Sequence, residues 1–453
     1  MNKMLNRFII ILLVLILATP VSFAKDVPIV LNSIETDKEA KEITINPSMP
    51  LSLADCYQLA LKQSEVIAIS ADAIKVAEAR FLQALSIMMP YISFQSTDLQ
   101  EATPNNTGST LSTLKPAKFS ERQFQITQTL FSGFKALAAM SGSGLEKKQR
   151  TSEKIRAQQL LLVDVSNSFY LYVEKRKDLE ATLRVKKALI DRIKELKLRE
   201  GLGRSRQSEV VNAKAQLYTV EADLKVVKSQ ETVARQLLEF LVGIPIDKVS
   251  DSYEIPTFLM QEDYYVSKFI NRPDIKAADY AWQFAEKELD VVNSDFLPTV
   301  SWQGNFYTQR TAFDKGTDWD IMLKIDVPIF EGTEILGKSK EYKLRAHQRE
   351  LEYMRLKRYA PYDIKDSYVK LNTALAVHEN LKKAFHTAKV NYYLQRKDYQ
   401  RSLVSNLDVL AAIQTLQGAQ RNYIHAIYEA KRLYWQLRVS MGEDIVEALN
   451  DTI

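Results

Sequence analysis

Few residues of this 453-residue chain have types and spacing that could do chemistry. The single cysteine, Cys56, excludes a disulfide framework and a cysteine-based zinc site, and it falls in a helical pattern where a small buried hydrophobe is expected. His347, His378, His386 and His425 show no His-Glu-x-x-His spacing and suit solvated helix faces. Gly133 and Gly144 lack the Gly-Lys-Ser/Thr of a phosphate loop. These patterns point away from an enzyme and from any metal or cofactor. Two carboxylates stand just beyond chain turns: Glu209 after Gly201 and Gly203, and Asp408 after Ser402 and Ser405. In the first turn of a helix a carboxylate is favoured by the helix dipole by about 0.3–1 kcal/mol, so their further use depends on the elements that carry them.

Composition says what those elements are. A 46% hydrophobic and 26% charged chain is ordinary folded protein. Its 13 Gly and 13 Pro are roughly half the usual share, which implies long uninterrupted elements and predicts helices. Residues 1–24 read as a cleaved secretory signal: Lys3 and Arg7, an apolar run from Phe8 to Leu17, Pro20, then Ser22 and Ala24. Losing Lys3 and Arg7 takes the formal charge from +5 to +3, too little to argue for nucleic acid. Residue 25 is Lys, so the expected cleavage point offers no thiol for lipidation. No later segment is apolar enough to span a bilayer as a helix.

An internal repeat organises the rest. Met89-Pro90-Tyr91-Ile92-Ser93-Phe94 parallels Leu297-Pro298-Thr299-Val300-Ser301-Trp302, with Pro298 lying 208 positions after Pro90. Leu130-Phe131-Ser132-Gly133 parallels Ile329-Phe330-Glu331-Gly332, and Gly332 follows Gly133 by 199, as Asp408 follows Glu209 and Gly442 follows Gly243. The length change falls in the polar loop Glu101 to Lys118. The expected organisation is a linker at 25–50, a first repeat at 51–243, a connector at 244–270, a second repeat at 271–442 and a tail at 443–453.

Within each repeat the periodicity changes twice. Helices over Gln63–Met89 and Asn271–Leu297 should end at Pro90 and Pro298. Alternation with period two then gives four strands of about ten residues. Ile321, Leu323, Ile325, Val327 and Ile329 alternate with Met322, Lys324, Asp326 and Pro328, while Phe124 and Ile126 oppose Gln123 and Gln125. Tyr91, Phe119, Phe131, Tyr307, Phe313, Trp319 and Phe330 cluster at the ends of these runs. A half-exposed soluble sheet would fit, but a transmembrane barrel fits better, and four strands cannot close one, so several chains must pool strands. After Gly133 and Gly332 come helices of about 65 residues, each about 100 Å long. The chain turns at Gly201 and Gly203, or Ser402 and Ser405, and returns helically to Gly243 or Gly442. Val210, Ala213, Leu217, Val220, Leu224 and Val227 keep heptad spacing, as do Val409, Ala412, Leu416, Ala419, Tyr423 and Ala426, which argues for coiled-coil packing. Gly142 and Gly144, costly in a helix by about 1 kcal/mol each, suggest irregularity or a late start in the first long helix.

With duplicate strand starts at Pro90 and Pro298, duplicate Phe-x-Gly exits at Gly133 and Gly332, and both turn motifs in constant order, the chain resembles the TolC-type outer-membrane efflux protein family from about Leu51 onward. The resemblance implies a mainly α fold with a small β part. Duplicated coiled-coil helices and four transmembrane strands per chain would form a homotrimeric α/β barrel, its twelve strands continued by a twelve-helix periplasmic tunnel. It implies an exit duct in the outer membrane with a large periplasmic extension, set in outer-membrane lipid and serving an efflux or type I secretion system. The implied partners are a periplasmic adaptor (membrane fusion) protein and an inner-membrane transporter, with no nucleic acid. It also implies roles for three residues. Asp408 would contribute to a carboxylate ring at the entrance, attracting cations, and Tyr399 would latch the closed state against Glu209. Val404 and Ala411 stand where the family has a latch arginine and a second aspartate, and Ser402 replaces a common turn glycine. The alternative is an extracytoplasmic coiled-coil adaptor or scaffold, against which the duplication argues.

Overall fold

The computed structural model describes residues 50–100, 118–256, 258–310 and 318–443. The expected signal segment, nearly all of the expected linker, the polar loop from Glu101, Phe313 and the expected tail beyond Glu443 lie outside the described residues.

The first repeat contains α1 (Leu53–Gln63), α2 (Glu65–Ser86), β1 (Tyr91–Gln100), β2 (Lys118–Ser132), α3 (Lys135–Gly201) and α4 (Gln207–Val242). After a short α5 (Glu262–Val266), the second repeat contains α6 (Pro273–Asn293), β3 (Thr299–Arg310), β4 (Trp319–Asp326), α7 (Glu334–Gln400) and α8 (Asn406–Ser440). Both long helices have 67 residues, about 100 Å of rise. Near the strands, α3 packs between α2 and α6, with α7 beyond α6; towards the turns it packs between α4 and α8, with α7 beyond α8. Two shorter helices thus succeed one another beside each long one. The heptad positions carry the packing: Val210, Ala213, Val220 and Val227 of α4 and Val409, Ala412 and Ala426 of α8 are buried. Alanine at these sites lets the backbones approach closely.

Three expectations need correction. The helix expected over Gln63–Met89 is the shorter α2, because Ser64 has extended backbone (φ −70°, ψ 114°) and caps it through the Ile67 amide, while Ser52 caps the separate α1 in a box with Asp55. Helix α3 starts at Lys135 and runs unbroken through Gly142 and Gly144. Gly142 is useful there, since a Cβ would come within 3.3 Å of Lys287 and 3.5 Å of Phe284 on α6. Strand β4 ends at Asp326, six residues short of Gly332, because it is an edge strand and Pro328 has no N–H to extend the ladder. Val327, Ile329 and Phe330 beyond it are exposed, Ile329 at 94%.

The sheet is antiparallel in the order β1-β2-β3-β4, open at both edges. Register puts Ile92, Ile126, Gly304 and Ile321 in one row and Phe94, Phe124, Phe306 and Trp319 in another. Phe94 and Phe124 meet at 5.1 Å between centroids. The intervening rows are polar: Ser93, Gln125, Asn305 and Asp320, then Gln95, Gln123 and Tyr307. They bond across the strands, with Gln95 donating to Gln125 (2.7 Å), and both Asn305 and Tyr307 to Asp320 (2.7 Å each). One face is therefore apolar and the other a hydrogen-bonded amide and hydroxyl surface. At the β2–α3 junction Gly133 has φ 61°, and a Cβ there would fall 2.5 Å from the Ser294 carbonyl oxygen.

Among the described residues no helix is long and apolar enough to cross a membrane.

Candidate functional site at the helical tips

The two hairpin turns have the same construction. At the end of α3, Gly203 takes φ 71°, with its N–H bonded to the Glu200 carbonyl and that of Arg204 to Arg199. At the end of α7, Ser402 takes φ 62°, with its N–H bonded to Tyr399 and that of Leu403 to Asp398. These are Schellman-type closures, in which a left-handed residue costs glycine little and serine about 1 kcal/mol. Gly201 is the last residue of α3, and Ser405 is the N-cap of α8.

Between the turns the four helices close over a shared cluster: Leu189, Ile193 and Leu196 of α3, Val210 and Ala213 of α4, Tyr399 of α7, and Val409, Leu410 and Ile413 of α8. Val404 packs against this cluster. At its rim the Tyr399 hydroxyl donates to the Glu209 carboxylate at 3.2 Å, and the same carboxylate oxygen accepts from the Ser205 hydroxyl. Tyr399 and Glu209 are thus brought together, one from each repeat. Asp408 is not in that contact. It lies exposed, its carboxylate accepting from the Ser405 N–H (2.8 Å) and hydroxyl (2.7 Å), and these hydrogen bonds to the ionised form hold it below the usual aspartate range. Pro90, Pro298, Gly133 and Gly332 all lie at the strand end of the fold, outside this site.

Three further side chains complete the cluster. The Arg192 and Arg199 guanidinium carbons lie 3.7 and 4.7 Å from the Tyr399 ring centroid. Arg192 Nε donates to Asn406 Oδ1 at 3.0 Å, and the Asn406 amide donates to the Glu209 carbonyl at 3.3 Å. Arg199 donates to the carbonyls of Tyr399 and Gln400 at the end of α7, 3.4 Å each. The one signal in the sequence was the seven-residue spacing of Arg192 and Arg199, which puts them on one face of α3.

The fold is thus a four-stranded sheet open at both edges, apolar on one face and polar on the other, joined to two long helical hairpins. Residues 267–443 match the family described as outer membrane efflux protein. The fold resembles that of the outer membrane protein VceC from Vibrio cholerae, with a TM-score of 0.74 and 19% identity over 86% of this chain and 96% of that one. It also resembles the CmeC outer membrane channel of Campylobacter jejuni, with a TM-score of 0.73 and 17% identity over 88% and 89% of the two chains. In sequence, the chain is 20% identical to the probable outer membrane lipoprotein SilC of Salmonella typhimurium over 52% of this chain and 53% of that one. It is 22% identical to the outer membrane protein TolC of Vibrio cholerae over 66% and 71% respectively. The chain spans about half the length of the first curated relatives it matches. The family match falls on its second repeat, and its described residues adopt a fold similar to those of VceC and CmeC.

Proposed function

We propose that the chain is one third of a passive exit duct of the outer membrane. The observation that carries this reading is the sheet: two unpaired edges and an exposed apolar face cannot stand in water, whereas three copies would close twelve strands with the apolar rows towards lipid and the Gln, Asn and Tyr rows towards a polar lumen. The helices support the same closure. Val226, Val233 and Phe240 on α4 recur every seven residues, as do Leu344 and Leu351 on α7, and all are at least half exposed at opposite edges of the helical layer. A neighbouring copy would cover both stripes and continue the barrel as a twelve-helix tunnel through the periplasm.

In this reading the tips are the periplasmic entrance, which an adaptor protein opens on behalf of an inner-membrane transporter in efflux or type I secretion. The Tyr399–Glu209 bond between the two hairpins is the latch of the closed state. Asp408, exposed and held ionised, supplies with its two copies a carboxylate ring that favours cations. The test is membrane fractionation with native gels before and after heating. A heat-sensitive trimer in the outer-membrane fraction is expected; a soluble periplasmic monomer would remove the reading.

A further inference from the structure

The latch as described uses the Tyr399 hydroxyl and leaves its ring unexplained. That ring is 95% buried, with an arginine from α3 on it at 3.7 Å and another at 4.7 Å. Arg192 is itself 5% exposed, one of its terminal nitrogens has no hydrogen-bond partner, and its guanidinium, ion-paired with Glu195, sits over the ring away from solvent. Its other nitrogens engage Asn406 and Glu195, at 3.0 Å each. Arg199 grips both the ring and the last carbonyls of α7. Both cations come from the first hairpin, while the ring and Asn406 belong to the second. Val404, in the turn of the second hairpin, is apolar and packs into the hydrophobic cluster.

We propose that Arg192 and Arg199 hold the entrance shut in this chain by clamping the Tyr399 ring, so that opening requires α7 and α8 to draw the ring away from two guanidinium groups. The clamp rests on the duct reading and adds to it a closing force independent of the Tyr399–Glu209 hydrogen bond. A desolvated cation against a tyrosine face is stronger than an exposed one, and two acting on the closed state alone bias it together. Asn406 extends the grip, since Arg192 reaches through it to the start of α8.

The test is single-channel recording of the full-length protein in planar bilayers. Arg192→Gln with Arg199→Gln removes both cations and keeps hydrogen-bonding side chains; the open-to-closed ratio should rise at least about tenfold. Arg192→Lys with Arg199→Lys should recover most of the lost closure, because an ammonium also binds a ring face, whereas a purely structural need for the planar forks would not be met by lysine. Tyr399→Phe keeps the ring and should open the channel less than the glutamine pair does. Should that pair fail to assemble, Arg199→Gln alone, whose side chain is 23% exposed, must open the channel in the same direction. Wild-type closure in the glutamine variants, or lysine variants as open as the glutamine ones, would overturn the clamp. A wild-type protein that forms no channel would overturn the duct reading instead.

Discussion

The repeat supplies its own control for a prediction about backbone strain. Gly133 and Gly332 occupy equivalent positions at the two β-to-α junctions, with φ 61° and 68°. Replacing either with alanine puts a Cβ on a left-handed residue, at about 1–2 kcal/mol. At Gly332 nothing lies within 4 Å of that Cβ. At Gly133 it would fall 2.5 Å from the Ser294 carbonyl oxygen and 2.8 Å from Leu297 Cβ, and neither is the free end of a flexible side chain. Such overlap adds about 1–3 kcal/mol. Gly133→Ala should therefore cost roughly 2–5 kcal/mol, and Gly332→Ala only about 1–2. Urea-dependent refolding into lipid vesicles, followed by the heat-sensitive mobility of the folded form, measures both. Equal losses at the two sites would refute the reasoning, because the conformational cost is shared and only the close approach to Ser294 differs.

Asp408→Ala should abolish cation preference and divalent block in single-channel records. With wild-type Asp408, held ionised by the Ser405 hydroxyl and N–H, cation preference should persist as pH falls through the ordinary aspartate pKa and fade only below it. Arg272→Ala should cost about 3–5 kcal/mol, because it removes the guanidinium that holds the Asp274 and Asp363 carboxylates at 2.8 and 2.7 Å and leaves Asp274 only the longer pair with Arg156; urea titration measures it. Burial alone would raise the Asp274 pKa, but hydrogen bonding and charge from Arg272, with Arg156, bring it below the usual value. Its contribution is therefore complete above the ordinary aspartate pKa and lost as pH falls through the depressed one, so this junction should weaken in acid. Ser402→Gly should stabilise by about 1 kcal/mol, and Gly203→Ser should cost the same, by the same titration.

How much of this was legible in the sequence follows from the distance over which each feature is determined. Pro90, Pro298, Gly133, Gly203 and Gly243 act on their own backbones, so the ends of helices and strands could be read locally. The alternation of Ile321, Leu323 and Ile325 is likewise a property of one strand. The start of α2 could be read only to within two residues, because apolar periodicity continues on both sides of Ser64. The role of Gly142 was hidden because the contact that explains it, with Phe284 and Lys287, lies about 140 residues away. Tyr399 and Glu209 came from resemblance. Only the seven-residue spacing of Arg192 and Arg199 could be read from the sequence, because the ring that they grip is brought in by the other hairpin, some 200 residues later in the chain. The end of β4 depended on which neighbour its free edge has.

That free edge is also where the central claim is most exposed. Electron cryomicroscopy of the full-length protein in lipid nanodiscs should show threefold symmetry, with β4 of each copy paired to β1 of the next in a twelve-stranded barrel and α7 lying against α4 of the next copy. A particle with the sheet edges unpaired, or a barrel closed by any other number of copies, would contradict it.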